Sequence, residues 1–373
     1  MKKLVALAVA GALAAPVYAQ SNIQLYGVLD ANFQYGDSMG NDFFMINSTS
    51  GTGGPRIGVR GEEDLGSGLK AVFLLEQGFN IDTGKSVEGD SSASGNDVFT
   101  RQAYAGIKGS FGQLTLGRHE APGYYIYEFE GIGGSGASAL VQINNFLGLT
   151  ISTREKARWS NSALYSGSYQ SVSWSAIYSA GNNEVDVIRP TDGKRIDHSD
   201  DDRFGFSVKY ASGPLSATAI YHNVKYNALN ALGDETQKEW AIGAAYDFGM
   251  VKLMGTYQQG RDVLGQKDRD VDVWQIGAII PVFGTNQLRL SYVHSELDPA
   301  HGKSVDPQTF SIAYLHFLSK RTFLYGGYTQ TDYDDLTWGR GAQLALVPSN
   351  SGYDANKKIE DTNIFFLGIR HMF

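Results

Sequence analysis

Apolar and polar residues alternate one by one along stretch after stretch of this chain, and this period of two limits its fold more than any other feature. The opening stretch places Ile23, Leu25, Gly27, Leu29, Ala31 and Phe33 on one face, with Gln24, Tyr26, Asp30 and Asn32 on the other and Val28 as the exception. Val172, Trp174, Ala176 and Tyr178 oppose Ser173, Ser175 and Ser179 in the same way. Phe204, Phe206, Val208 and Tyr210 oppose Arg203, Ser207 and Lys209, and Leu215, Ala217, Ala219 and Tyr221 oppose Ser216, Thr218 and His222. Trp240, Ile242, Ala244 and Tyr246 oppose Ala241, Gly243 and Asp247, and Leu288 and Leu290 oppose Gln287, Arg289 and Ser291. No helical period of similar length competes. The expectation is an all-β fold whose strands each carry one apolar and one polar face.

The connections between these stretches alternate in length. Short ones include Ser212-Gly213-Pro214, Phe248-Gly249-Met250 and Leu318-Ser319-Lys320. Between them lie long polar loops, near 36–53, 81–97, 119–156, 181–202, 227–237, 262–270, 298–307 and 333–361. Short turns at one end and long loops at the other describe a transmembrane antiparallel β-barrel, its turns periplasmic and its loops outside. Eight long loops imply about sixteen strands, wide enough to leave an aqueous bore. Aromatic residues close many apolar faces, among them Phe33, Tyr165, Tyr210, Tyr246, Trp274 and Tyr314, as the girdles at two lipid interfaces require. A mean hydropathy of −0.24 is compatible with this, because only alternate residues face lipid.

The first residues read as a leader. Lys2 and Lys3 precede an apolar run from Leu4 to Ala15, and Val17-Tyr18-Ala19 offers small residues for cleavage after Ala19. The expected division is therefore a signal peptide over 1–19 and one barrel domain over 20–373, with no linker between. The chain has no cysteine, so disulfides and thiolate metal sites do not arise. Its net charge of −8, or −10 once Lys2 and Lys3 are lost, argues against nucleic acid as a partner.

The stretch from His119 to Lys156 is too long for an ordinary connection and too apolar for a disordered one. It carries Tyr124, Tyr125, Tyr127, Phe129, Leu140, Ile143, Phe146 and Leu149, and in its middle the pair Glu128 and Glu130 before a glycine-rich run. The expectation is a loop that folds back into the barrel and narrows it. The final strand ends on Phe373, an aromatic position suited to closing the barrel against the first strand.

Several segments resemble the general porins of Gram-negative outer membranes, of the betaproteobacterial, anion-selective type. These are Leu25-Tyr26-Gly27-Val28-Leu29-Asp30, the run from Arg56-Ile57-Gly58-Val59-Arg60-Gly61 to Lys70-Ala71, and Arg101-Gln102-Ala103-Tyr104-Ala105-Gly106. Phe111-Gly112-Gln113-Leu114-Thr115-Leu116-Gly117-Arg118, Leu318-Ser319-Lys320-Arg321-Thr322 and Gly368-Ile369-Arg370-His371-Met372-Phe373 complete the set. The resemblance implies a sixteen-stranded barrel, a homotrimer, and passive diffusion of ions and small hydrophilic solutes through an outer-membrane channel. It also implies a third external loop, 119–156 here, folded into the lumen opposite a basic cluster that includes Arg56 and Arg101. Anion-selective members often carry an arginine in that loop; none lies between His119 and Thr153.

Strand parity adds to this. Arg56 and Arg60 share one face and should point into the lumen, as should Lys70, Lys209, Lys252 and Arg289. Arg101 falls on the lipid-facing parity unless a bulge intervenes or it ends its strand, and its role rests on the resemblance. Arg118 closes its strand beside the inward loop. The expected constriction thus has Arg56, Arg60, Arg101 and Arg118 on the wall and Glu128 and Glu130 on the loop, opposed charges that would set a transverse field. The acidic groups Asp197, Asp200, Asp201 and Asp202, and Asp332, Asp334 and Asp335, belong to or beside external loops. They read as solvated charge, with loosely bound calcium near lipopolysaccharide as the alternative and no other cofactor expected. No enzymatic set emerges: His198 with Asp197 or Asp200 is isolated, and His294 lies on the opposite face from Ser291 and Ser295. A solute-specific channel, and a plugged barrel serving as adhesin or receptor, are the rival readings.

Overall fold

The computed structural model describes residues 22–38, 40–47, 54–87, 98–132, 138–152, 155–181, 187–188, 193, 195–197, 199–226, 233–299, 303–335 and 358–373. The leader expected over 1–19 lies outside them. Sixteen antiparallel strands among the described residues form the barrel wall. They are β1 (Asn22–Ser38), β2 (Arg56–Gly66), β3 (Leu69–Phe79), β4 (Gln102–Gly109), β5 (Gly112–Glu120), β6 (Arg158–Tyr169), β7 (Val172–Ser179) and β8 (Arg203–Ser212). The wall continues with β9 (Leu215–Lys225), β10 (Thr236–Asp247), β11 (Lys252–Arg261), β12 (Asp270–Val282), β13 (Asn286–Asp298), β14 (Gln308–Phe317), β15 (Thr322–Asp332) and β16 (Thr362–Met372).

Each strand pairs with its neighbour in sequence, and the ring closes where β1 meets β16, from Val28↔Met372 to Asp37↔Asn363. On its other side β1 pairs with β2 from Asn22↔Glu62 to Val28↔Arg56. Above that point a ribbon strand, Asn41–Asn47, takes over from Asn32↔Asn47 to Ser38↔Asn41. The turn between β2 and β3 shows why the short connections are glycine-rich. Gly66, Ser67 and Gly68 all have positive φ there, a conformation that glycine adopts without steric cost.

Residues directly opposite in the register share a face, so the register sorts every strand residue to lipid or lumen. On the outer side Ile23, Leu25, Leu116 and Leu367 are 59–63% exposed, as groups solvated by lipid must be. Towards the long-loop end Phe206, Tyr221 and Trp240 stand opposite one another on β8–β10, and Tyr257 faces Trp274 on β11–β12. Tyr210 and Tyr246 lie near the turn end of the same strands. These are the two girdles expected of a membrane barrel.

The last residue completes the seam. The Gly27 and Phe373 amides each donate to the other's carbonyl at 3.1 Å, and the phenyl ring lies over Gly27, where a Cβ would come within 2.4 Å of it. Deleting Phe373 removes both backbone bonds and should cost about 1–3 kcal/mol. The urea midpoint of the detergent-folded barrel should fall accordingly, and an unchanged midpoint would mean that the β1–β16 ladder closes the barrel unaided.

The described residues between 121 and 157 turn into the bore, their neck closed by the Ala121 amide donating to the Ala157 carbonyl at 2.8 Å. The sequence reading expected an inward-folded loop here and assigned it no helix. It contains a 3₁₀ segment, Pro122–Phe129, and an α-helix, α1 (Ala139–Leu147). Ser138 caps α1 by accepting the Val141 amide at 3.2 Å, and Gly148, at φ +93°, ends it. Two and a half helical turns are too short for periodicity to reveal, but serine before and glycine after an apolar run are recognisable stops. Leu140, Ile143, Phe146 and Leu147 of α1 are buried in one cluster with Ile220, Ala241, Val271, Val273, Val293 and Leu297 of the wall. One side of the lumen is therefore lined with valine and leucine, and the loop is packed against it.

Candidate pore constriction

Where the inward loop leaves β5 and rejoins β6, the wall brings three arginines around two carboxylates. Arg101 is the centre. The β4 strand begins only at Gln102, and Phe99, with φ +59°, turns the chain just before it, which frees Arg101 from the lipid-facing parity. Its side chain is buried in the bore. The Arg101 Nε lies 2.7 Å from Glu76 Oε1, and Nη2 lies 3.2 Å from Glu120 Oε1 while donating to the Tyr124 phenol at 3.1 Å. Arg56 Nε is 3.2 Å from Glu76 Oε2, the oxygen to which the Tyr26 phenol also donates at 2.8 Å. Arg158 Nη2 is 3.7 Å from Glu120 Oε1, with its guanidinium over the Tyr124 ring at 5.1 Å, and the Tyr125 phenol donates to Glu120 Oε2 at 3.2 Å.

Planar guanidinium groups suit this task, since each fixes two partners at once and stays charged at any working pH. Burying these charges costs solvation, which only such close and multiple contacts offset. The result ties β2, β3, β5 and β6 to the 3₁₀ segment of the loop. Arg60, two inward positions below Arg56, lies over the Tyr26 ring at 5.2 Å and donates to Gln24 from Nε and Nη2. Arg56, Arg60, Arg101 and Arg158 against Glu76 and Glu120 leave two positive charges in excess on this side of the bore.

The loop carboxylates do not face these arginines across the bore as the sequence reading expected. Glu128 pairs with Lys209 of β8. Glu130 is buried close enough to Arg289 of β13 for their charges to interact, and Arg289 Nη1 donates to the Ile132 carbonyl at 3.1 Å. The cause is where the loop tip lands. Gly131 meets Gly277 of β12 backbone to backbone, and a Cβ on Gly277 would come within 2.6 Å of the Gly131 nitrogen. The tip is thus pressed onto the far wall, and each glutamate finds a cation there.

Arg118 also departs from expectation. It shares parity with the outward Leu114 and Leu116, and the irregularity at Gly117/His119 leaves that parity intact on β5. Its Nε donates to the Thr100 carbonyl and its Nη1 to the Ser160 hydroxyl, both at 2.7 Å. Arg118 braces the rim from the outer side and is not a bore charge. Lys70 and Lys108 both reach Glu62 at the turn end, at 2.7 and 3.0 Å, and Lys252 keeps lumen parity near the same end.

Sequence reasoning overlooked the wall residues that hold the loop. Glu239 of β10 accepts the Thr150 and Ile151 amides at 2.8 and 2.9 Å, the Thr150 hydroxyl at 2.7 Å and the Gln237 amide at 2.5 Å. His222 of β9 accepts the Gly123 amide on Nε2 at 3.0 Å, and Gln258 of β11 accepts from Asn144 at 2.9 Å. Glu76, Glu120 and Arg158 were missed as well. For Glu76 a signal existed: it lies on the inward parity of β3 three steps beyond Lys70.

Among the described residues no group of three histidine, aspartate or glutamate side chains converges as a metal set. Of the candidate calcium ligands, Asp197 holds Arg195 Nε at 2.7 Å and Asp200 accepts the Asp197 amide at 2.9 Å.

The family model for Gram-negative porins matches residues 6–336. The chain belongs to that family. This porin is similar to outer membrane porin protein 32 of Delftia acidovorans, with 31% identity covering all of this chain and 99% of the relative. It shares 28% identity with an outer membrane porin protein of Bordetella pertussis over 88% of this chain and 94% of that one. Among solved structures, an anion-selective porin from Comamonas acidovorans superposes with a TM-score of 0.73 at 27% identity, over 95% of this porin and all of that chain. This porin is an integral outer-membrane channel, and the network around Arg101 sits where the inward loop narrows it.

Proposed function

We propose that this porin passes ions and small hydrophilic solutes by passive diffusion with a moderate preference for anions, and that it catalyses no reaction. The observation carrying the preference is the pair of positive charges in excess beside the loop neck, while the loop glutamates are neutralised by Lys209 and Arg289. A narrow aqueous path beside a surplus of arginine raises the local concentration of anions. The similarity to the anion-selective porin from Comamonas acidovorans supports the same sign.

We further propose that it works as a homotrimer packed through the outer face of β1–β5 and β16. That face carries small and aliphatic groups, among them Leu25, Ala31, Val59, Ala105, Leu116 and Leu367, with the exposed aromatics Phe33, Tyr35 and Phe365 towards its long-loop end, whereas β7–β14 carry aromatics at both ends. The girdled face is left to lipid and, at its outer rim, to lipopolysaccharide.

The experiment is single-channel recording in a planar bilayer under a salt gradient. Conductance should appear in groups of three steps, with a reversal potential on the anion side. Arg56→Glu exchanges one positive for one negative charge and cancels the excess, so its reversal potential should move to the balance point or beyond it towards cations. An unchanged value would remove Arg56 from selectivity. A silent bilayer from folded protein would favour the plugged receptor instead.

A further inference from the structure

Next to the arginine cluster, with Tyr125 common to both, the inward loop and the β7–β9 wall line a cavity of about 230 Å³. On the loop side it is lined by Tyr125 and Glu128, and on the wall side by Ser173, Ser175, Ser207 and Lys209. The Ser175 and Ser207 hydroxyls lie 2.8 Å apart, on neighbouring inward positions of β7 and β8. Lys209 and Glu128 pair with each other, yet each side chain is about one-third exposed, at 35% and 34%.

We infer that this cavity is a subsite for small zwitterionic solutes, α-amino acids with a short polar side chain. A solute carrying one charge could pair with Lys209 or with Glu128 only by leaving the other charge without its partner, which is costly in a partly desolvated place. A zwitterion has no such difficulty. Its carboxylate takes the Lys209 ammonium while its own ammonium takes the Glu128 carboxylate, and both charges of the wall stay paired. The serine hydroxyls then serve a polar side chain, and the Tyr125 ring covers the Cα–Cβ unit. A volume below the roughly 300–1,000 Å³ of sites for drug-sized ligands restricts the occupant to something the size of serine.

This subsite rests on the reading of the bore as an aqueous path, and two measurements separate the two ideas. The first is equilibrium dialysis of radiolabelled L-serine against the detergent-folded porin. Serine should be retained, whereas acetate, methylamine and glycerol should partition as in bulk. Glu128→Gln and Lys209→Met should each weaken retention by about tenfold or more, the worth of one charged hydrogen bond. Exchanging the two charges in the double variant Lys209→Glu, Glu128→Lys should restore it, because the exchanged pair offers a zwitterion the same two opposite charges in reverse. The second is single-channel recording with serine in the bath, where brief serine-dependent interruptions should vanish in both single variants. A porin that conducts but retains serine no better than glycerol overturns the subsite and leaves the channel standing. Retention unaffected by either variant overturns it too. A silent bilayer strikes at the channel reading alone, since dialysis still decides whether the cavity binds serine.

Discussion

Replacing Arg101 by alanine should destabilise the folded barrel by about 3–5 kcal/mol, the usual cost of stranding buried partner charges. Arg101 touches both Glu76 and Glu120, at 2.7 and 3.2 Å, and it also holds the Tyr124 phenol of the inward loop. Without it Glu76 keeps Arg56 and Tyr26, and Glu120 keeps the more distant Arg158. The positive excess beside the loop neck halves, and a space the size of an arginine opens. Urea unfolding in detergent should therefore show an earlier midpoint, and bilayer recording should show larger conductance with a reversal potential displaced towards cations. Arg101→Lys tests the geometry separately from the charge. One ammonium cannot reproduce the forked contact with two carboxylates, so lysine should recover the reversal potential more fully than the stability. A variant with native midpoint, conductance and reversal potential would mean that the network is ornamental.

The second large effect is expected at Glu239, more than a hundred residues away in sequence and on the opposite flank of the loop. Its carboxylate is the shared acceptor of two loop amides, one loop hydroxyl and one wall amide. Glu239→Ala leaves the Thr150 and Ile151 amides without their acceptor, at about 1–3 kcal/mol for each buried group. Unlike the loss at Arg101, this cost can be relieved locally, because the loop can lift and offer those amides to water. The prediction is therefore dynamic: single-channel traces that flicker between levels, and a protease nick within residues 121–157 that the native loop resists. Glu239→Gln retains one carbonyl oxygen and should fall between the two. Quiet traces together with an uncut loop would show that the apolar packing of α1 holds the loop by itself.

These two residues mark the boundary of what a single sequence displays. The barrel was legible because alternation is a local property, repeated sixteen times, and because loop lengths count strands without any knowledge of contacts. Arg56, Arg60, Lys209 and Arg289 were placed on the lumen side by parity alone. Arg101 could not be, since a single positive φ at Phe99 shifts it off its strand and no pattern in the surrounding residues announces that turn. Arg118 failed for the complementary reason: it kept the outward parity that closeness to the loop had seemed to override. The partners of Glu128 and Glu130 were beyond reach altogether. They depend on where the loop tip touches down, and that is decided by the meeting of Gly131 with Gly277, two glycines that sequence separates by six strands of the barrel. The short helix α1 was hidden by length, although Ser138 and Gly148 were in plain view.

The valine and leucine lining beneath α1 has an effect on permeating charge that packing alone does not convey. Val271, Val273, Val293 and Leu297 face inward and, with the helix resting on them, put hydrocarbon where an ordinary lumen would hold water. The water-filled part of the bore thereby has a weakly polarisable body on one side and arginine on the other. Field lines from the arginines cannot spread through that body and are squeezed into the water that remains, so two surplus charges act on a passing ion more strongly than they would in a round, fully wetted bore. A large apolar insert with no contact to the solute thus amplifies the polarity of the opposite bank.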